Sequence, residues 1–217
     1  MDCCGPEGSD YDRQFDARHA EQHLRAYRRD GPTGLTRALI DGLAADGLEG
    51  RTVLDIGGGV GAVHHELLRA GASAAVDVDA SRAYLAAARG EAERQGHADR
   101  VRYIRGDFVA IAPTLDTVDL VALDRVICCY PDMTELVGRS ASLARRRYGL
   151  VYPRDTWLAR AAVALLNARF RLSRSSFRSF VHPTREVEAV IARHGLIKRS
   201  ERTTLIWQLA IYERPAA

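Results

Sequence analysis

The chain has 217 residues, 47% of them hydrophobic, and a formal net charge of +3. One complete α/β core fits that length, no segment has the unbroken hydrophobicity to span a bilayer, and so small a charge argues against a general nucleic-acid coat. The opening Met1-Asp2-Cys3-Cys4-Gly5 lacks the basic and apolar regions of a signal peptide, and four cysteines in two adjacent pairs are no disulfide framework, so a cytoplasmic location with a frayed, reduced terminus is expected.

Residues 10–48 read as a helical lead, broken at Asp30-Gly31-Pro32 and packed over the site as a lid. Thr52-Val53-Leu54-Asp55-Ile56 is then a strand buried on both faces, and Gly57-Gly58-Gly59-Val60-Gly61 a tight turn that lets a ligand approach the main chain. A helix over residues 60–70 points its free N–H groups into the same crevice. Gly57-x-Gly59-x-x-Ala62 also satisfies the dinucleotide fingerprint. Asp55 tips the balance, since a carboxylate there disfavours phosphates and suits a cationic ammonium or sulfonium group.

A second strand from Ser73 ends at Asp77 and Asp79, and a carboxylate at that strand end can accept both ribose hydroxyls. A third strand, residues 101–105, ends in Gly106-Asp107-Phe108. The fourth, from Val118, runs through Asp124-Arg125-Val126-Ile127-Cys128-Cys129-Tyr130 to Pro131-Asp132, where Asp132 N-caps a helix with Glu135 three residues on, as in a capping box. A fifth strand near residues 148–152 precedes further helices. Residues 196–201 and 204–212 read as antiparallel strands joined around Arg202-Thr203.

In this order the motifs resemble the class I S-adenosylmethionine-dependent methyltransferases, with a weaker likeness over residues 52–182 to small bacterial proteins related to magnesium-protoporphyrin O-methyltransferase. The resemblance implies an α/β fold: a Rossmann-like, doubly wound seven-stranded sheet with a terminal antiparallel hairpin and an N-terminal helical lid. It implies S-adenosylmethionine contacts at Asp55, Gly57, Gly58, Gly59, Gly61, Asp79, Ala80, Asp107, Phe108, Asp124, Arg125 and Tyr27. The family's acid-x-Ser spacing followed by two bulky residues matches Asp79, Ser81, Tyr84 and Leu85, which favours Asp79 over Asp77 for the ribose. Asp107 is expected on the adenine amine and Phe108 against its ring. Tyr11, Tyr27, Arg28 and Arg29 fall where relatives contact the methionine carboxylate or close the site. Where many relatives carry two histidines this chain has Cys128 and Cys129, which puts a base role there in doubt.

The acceptor end is read from chemistry. His182, before Pro183 and a helix, has a pKa suited to taking a proton from a hydroxyl or amine, while Tyr130 and Asp124 compete to orient the nucleophile. A helix over residues 155–170 is apolar around most of its circumference, so it is either deeply covered or touches something greasy. Residues 139–178 are rich in arginine, with Asp155 as their acid, a field suited to an anionic substrate or a membrane surface. No spacing suggests a catalytic metal.

The chain is therefore expected to be one domain, residues 1–217, with a lid (1–50), a cofactor core (51–153), substrate cap helices (154–195) and a terminal hairpin (196–217). The expected activity is methylation, most readily at oxygen, of a small apolar or anionic acceptor, without nucleic acid and with peripheral membrane or lipophilic contact kept open. The alternatives are a cofactor-binding regulatory protein, a cyclase or lyase using the sulfonium, and a nicotinamide oxidoreductase.

Overall fold

The computed structural model describes residues 14–215, so Cys3, Cys4 and Tyr11 lie outside the described residues. Helix α1 (Ala17–Asp30) starts where the Asp16 carboxylate accepts the His19 N–H at 2.9 Å and stops at Gly31, whose φ of 66° no longer continues a right-handed helix. Helix α2 (Gly34–Ala44) follows, so the expected break at residues 30–32 is present. Strands and helices then alternate: β1 (Thr52–Ile56), α3 (Ala62–Arg69), β2 (Ala74–Asp79), α4 (Arg82–Gln95), β3 (Val101–Arg105), a short α5 (Phe108–Ile111), β4 (Val118–Asp124), α6 (Met133–Leu143) and β5 (Ala144–Pro153). The chain closes with α7 (Trp157–Leu172), α8 (Thr184–Arg193), β6 (Ile197–Thr203) and β7 (Trp207–Glu213).

The seven strands form one sheet in the order β3-β2-β1-β4-β5-β7-β6, the first five parallel and β7 antiparallel to both its neighbours. This is the doubly wound sheet with a terminal antiparallel hairpin. Side chains alternate between two apolar layers: Leu54, Val121, Leu123, Tyr148 and Leu150 pack under α6 and α8, whereas Val53, Leu120, Ala122 and Val151 pack under α2 and α3. β6 is exposed along its length and carries Lys198, Arg199, Glu201 and Arg202, charges that suit an uncovered sheet edge. The chain leaves β1 toward β2 and β3, then returns to β4 on the other side. That switch opens a crevice at the carboxyl ends of β1 and β4.

Several boundaries differ from the sequence reading. The helix after the glycines begins at Ala62 rather than residue 60, because Gly59 and Gly61 sit at φ of 60° and 83°. The fifth strand starts at Ala144, with the Arg147 side chain folded back onto the Gly42 carbonyl and Asp46. The terminal turn occupies residues 204–206, closed by the Trp207 N–H donating to Thr204 Oγ1 at 3.0 Å, so Arg202 and Thr203 remain in β6. Asp132 does cap α6 by accepting the Glu135 N–H at 3.1 Å, but the Glu135 carboxylate takes Arg139 at 2.8 Å.

The arginine-rich stretch is also less uniform than its sequence suggests. Arg139 pairs with Glu135, Arg145 with Asp119, Arg147 with Asp46 and Glu213, and Arg160 with Asp155, four of these acids lying outside the 139–178 window in sequence and the fifth, Asp155, inside it. The apolar helix α7 is not deeply covered: Ala159 and Phe170 are its buried residues, whereas Trp157, Leu165 and Leu172 are exposed. No helix among the described residues is long and apolar enough to cross a membrane.

Candidate functional site

A cavity of about 590 Å³ fills the crevice at the carboxyl ends of β1, β2 and β4. Its floor is Asp55, Gly57, Gly58, Gly59, Asp79, Asp124 and Arg125, and its roof is His23, Tyr27 and Thr36 from the two N-terminal helices with Pro32 from the turn between them. A narrower adjoining space is lined by Ala80, Asp107, Phe108, Val126, Cys129 and Tyr130. A separate hollow lies at the opposite, amino ends of the strands around Thr52, Ala74 and Thr117. It lacks the glycine turn and the helix N-terminus that mark the crevice.

The glycine turn is shaped by what lies beneath it. Gly57 donates its N–H to the Val78 carbonyl at 2.7 Å and Gly59 donates to Asp79 Oδ2 at 3.0 Å, tying the turn to the end of β2. A Cβ on Gly58 would lie 2.6 Å from Asp77 Oδ1 and 2.9 Å from Asp55 Oδ2, so only glycine leaves room for two carboxylates there. Asp79 lines the cavity, with Oδ1 accepting the Ser81 N–H at 2.7 Å. Asp77 is fully buried under the loop and lines neither crevice space. Of the two ribose candidates, only Asp79 meets the cavity.

Asp55 Oδ2 faces the first turn of α3, 2.8 Å from His64 Nδ1 and 3.3 Å from the His64 N–H. His65 Nδ1 lies 2.9 Å from His97 Nε2. Burial pushes the Asp55 carboxyl up to about 7 and Asp79 up to about 6, and burial together with the neighbouring Asp55 and Asp79 charges raises Asp77 well above the usual carboxylate range. Burial holds His64 down to about 3 and His65 to about 2, so both rings are neutral. The sequence reading missed this pair of histidines. Their signal is two imidazoles in the first turn of the helix that follows the glycines, where a Cβ on Gly61 would collide with both rings.

The remaining candidates divide by place. Tyr27 lies over the cavity and donates its hydroxyl to Glu66 at 3.1 Å. Asp124 lines the cavity, accepting Thr36 Oγ1–H at 2.5 Å and Arg125 Nη1–H at 3.0 Å. Arg125 adopts φ 61°, a left-handed conformation costly for a residue with a Cβ, and its guanidinium lies over the Trp207 ring at 5.6 Å. Burial raises the Asp124 carboxyl, and the adjacent Arg125 charge opposes that rise. Tyr130 donates to Asp107 Oδ2 at 3.0 Å, and Asp107 Oδ1 accepts the Val109 N–H at 2.9 Å, which puts Tyr130 in the Phe108 space rather than over Asp124.

His182 is brought to neither space. Its Nε2 points at the carbonyls of Ile127 and Tyr130, 2.9 and 3.0 Å away, and its ring stacks on Phe180. In this position His182 clamps the loop after β4, which the Phe180 N–H also holds through the Cys128 carbonyl. Cys128 and Cys129 are free thiols with sulfurs 3.7 Å apart, Cys129 lining both spaces. Among the described residues no cluster of three or more His, Cys, Asp or Glu side chains is arranged to hold a metal ion.

Residues 53–147, covering β1 to the middle of β5, match the family described as Methyltransferase domain. Magnesium protoporphyrin IX methyltransferase from Synechocystis PCC 6803, solved with SAH bound, is similar over 94% of this chain and 97% of its own, at 20% identity and a TM-score of 0.72. Geranyl diphosphate C-methyltransferase from Streptomyces coelicolor A3(2), solved with Mg2+, geranyl diphosphate and S-adenosyl-L-homocysteine, matches over 97% and 86% at 17% identity and a TM-score of 0.67. An O-methyltransferase family protein from Burkholderia thailandensis matches over 93% and 61% at 22% identity and a TM-score of 0.64. No curated protein matches the sequence. The chain thus has the α/β Rossmann-like fold of these methyltransferases, with the family match confined to its first five strands.

Proposed function

We propose that the protein is an enzyme that transfers a methyl group from S-adenosylmethionine to an oxygen of a small apolar or anionic acceptor. The observation that carries this reading is the charge of the crevice: Asp55, Asp79 and Asp124 line it, and the lining Arg125 is already committed to Asp124. A dinucleotide would set its phosphates against those carboxylates, whereas a cationic cofactor is attracted by them. The cavity volume falls within the range of small-molecule sites. When bound, the cofactor supplies a sulfonium methyl group activated for direct displacement.

The chain's own residues then bind and orient. Asp79 accepts the ribose hydroxyls, Asp107 with Tyr130 receives the adenine amine, Phe108 packs the ring, and the bare backbone of Gly57–Gly59 admits the cofactor's chain. Asp124, fixed by Thr36 and Arg125, is the one of the three catalytic candidates that lines the main cavity, and we assign it to orienting the acceptor. Alignment of the nucleophile with the breaking bond supplies much of the rate. Relatives named for magnesium protoporphyrin IX, or solved with geranyl diphosphate, support an apolar, anionic acceptor, and the O-methyltransferase relative supports oxygen.

Incubation of the protein and labelled S-adenosylmethionine with a metabolite extract tests the reading. Label should enter an extractable small molecule with release of the demethylated cofactor. Methylthioadenosine as the product would replace methyl transfer with a cyclase or lyase reaction, and tight NAD(P)H binding without binding of either sulfur nucleoside would sink the cofactor assignment.

A further inference from the structure

Helix α7 has two apolar sides, and only one is used by the fold. Ala159 and Phe170 turn inward, with the Phe170 ring against Phe177 at 5.2 Å and Phe177 against Phe15 at 5.6 Å. Phe15 itself lines the crevice. The outward side is held firmly in place: Asn167 exchanges two hydrogen bonds with the Ser179 backbone, each 2.8 Å, and the segment beyond it is tied to the Cys128 carbonyl. The unused apolar side is therefore a fixed surface.

That side carries Trp157, Ala161, Ala164, Leu165, Ala168 and Leu172, all exposed and recurring every three or four residues along one stripe. Trp157 is 79% exposed, Leu165 75% and Leu172 86%, values far above those of the core. Arginines border the stripe. Arg160 is paired with Asp155, but Arg169, Arg171 and Arg174 have no ion-pair partner among the described residues. From residue 156 to residue 185 the sequence contains no acid at all. An apolar stripe alone would suit a second protein copy as well as a lipid. A border of unpaired guanidinium groups in an acid-free segment gives this face the complement of an anionic surface, and repels a second copy of itself.

We propose that α7 is an interfacial helix that docks the protein on an anionic lipid bilayer, its Trp157–Leu165–Leu172 stripe in the acyl boundary and Arg169, Arg171 and Arg174 at the headgroups. The docking rests on this surface and not on the methyl-transfer reading. Its consequence for the site does rest on that reading: the ring contacts of Phe170, Phe177 and Phe15 join the inward side of the docked helix to the crevice, so docking would bring the crevice close to a lipophilic acceptor held in the bilayer.

Vesicle sedimentation tests the proposal with the full chain. Vesicles of phosphatidylcholine with about 30% phosphatidylserine should retain the protein and phosphatidylcholine alone should not, with binding falling as salt rises. A variant carrying Arg169→Gln, Arg171→Gln and Arg174→Gln should bind the anionic vesicles about a hundredfold more weakly, roughly a factor of five for each arginine near the surface. A variant carrying Trp157→Gln, Leu165→Gln and Leu172→Gln should lose binding while keeping its thermal midpoint and its cofactor affinity, because these side chains are exposed and outside the crevice. Failure of the wild-type protein to bind anionic vesicles at low salt overturns the proposal. So does a concentration-dependent dimer that the apolar triple variant abolishes, since the stripe would then be covered by a second copy. Vesicle binding without any methyl transfer would leave the docking standing and remove only the reading of the crevice.

Discussion

Asp79→Asn separates ligand recognition from fold stability. The carboxylate serves the loop through two bonds, Oδ2 to the Gly59 N–H and Oδ1 to the Ser81 N–H, and it meets the cavity that would hold a ribose. Asparagine keeps one oxygen acceptor, so one backbone donor loses its partner at a cost of about 1–3 kcal/mol. Burial of the charge works the other way: a carboxyl raised from 3.8 to about 6 makes ionisation at neutral pH cost about 3 kcal/mol of stability, which the amide relieves. The two effects offset, and the thermal midpoint should move by only a few degrees. Cofactor affinity has no such offset. Loss of a charged acceptor for ribose hydroxyls costs about 2–3 kcal/mol, or a dissociation constant raised roughly 30- to 150-fold. Calorimetric titration with S-adenosylhomocysteine at about pH 7.5 and pH 5 reads this directly, because protonation at the lower pH weakens the wild-type protein about tenfold and narrows the gap by that factor. Equal affinities at neutral pH, or a gap that ignores pH, would refute the ribose role.

The same shifts give a signed pH dependence for stability. Asp55 and Asp79, raised by burial, contribute stability that is full below about pH 4 and is lost as pH rises through about 6 and 7, so Asp55→Asn should raise the thermal midpoint more at pH 8 than at pH 5. His64 and His65, held neutral, contribute stability present above about pH 6.5 and lost on acidification, and acid unfolding should be delayed in His65→Gln. Gly58→Ala would drive a methyl group into Asp77 and Asp55, and its cofactor affinity should fall at least about tenfold in the same titration, an outcome that wild-type affinity would contradict. His182→Ala should lower stability by about 1–2 kcal/mol in denaturant unfolding, through loss of its bond to the Ile127 and Tyr130 carbonyls, and leave the shape of the pH–rate profile intact. Disappearance of a limb of that profile would restore His182 as a base.

How much of this was legible in the sequence depends on the range of the interaction. Strands β1 to β4 and the glycine turn are fixed by runs of a few residues, in which apolar alternation, glycine at positive φ and an acid at each strand end lie side by side in the chain. The terminal hairpin was legible as a pair of strands, but its turn was displaced because Thr204, by accepting from Trp207, closes the loop two residues later than the Arg202-Thr203 pair suggests. The placement of His182 was not legible for a different reason. A histidine before a proline and a helix has the composition of a base, but its ring is turned by the carbonyls of residues 127 and 130, more than fifty positions away in sequence. The Thr36–Asp124 bond spans a comparable distance, from the lid to the end of β4, and no local pattern announces it.

The buried imidazoles explain why an acidic crevice is compatible with a stable fold. Three carboxylates at the ends of β1 and β2 would repel one another strongly if all were ionised beneath a loop that excludes water. The chain does not place an arginine among them. Instead His64 supplies a neutral ring and a backbone N–H to Asp55, Gly59 and Ser81 supply N–H groups to Asp79, and burial beside both raises the Asp77 carboxyl well above the usual carboxylate range, which favours its neutral form. Hydrogen bonds to dipoles hold the acids in place without cancelling their charge, so the field at the crevice remains negative where Asp79 meets it. A buried guanidinium in the position of His64 would stabilise the same carboxylates and abolish that field, and the site would then lose its preference for a cation over a phosphate.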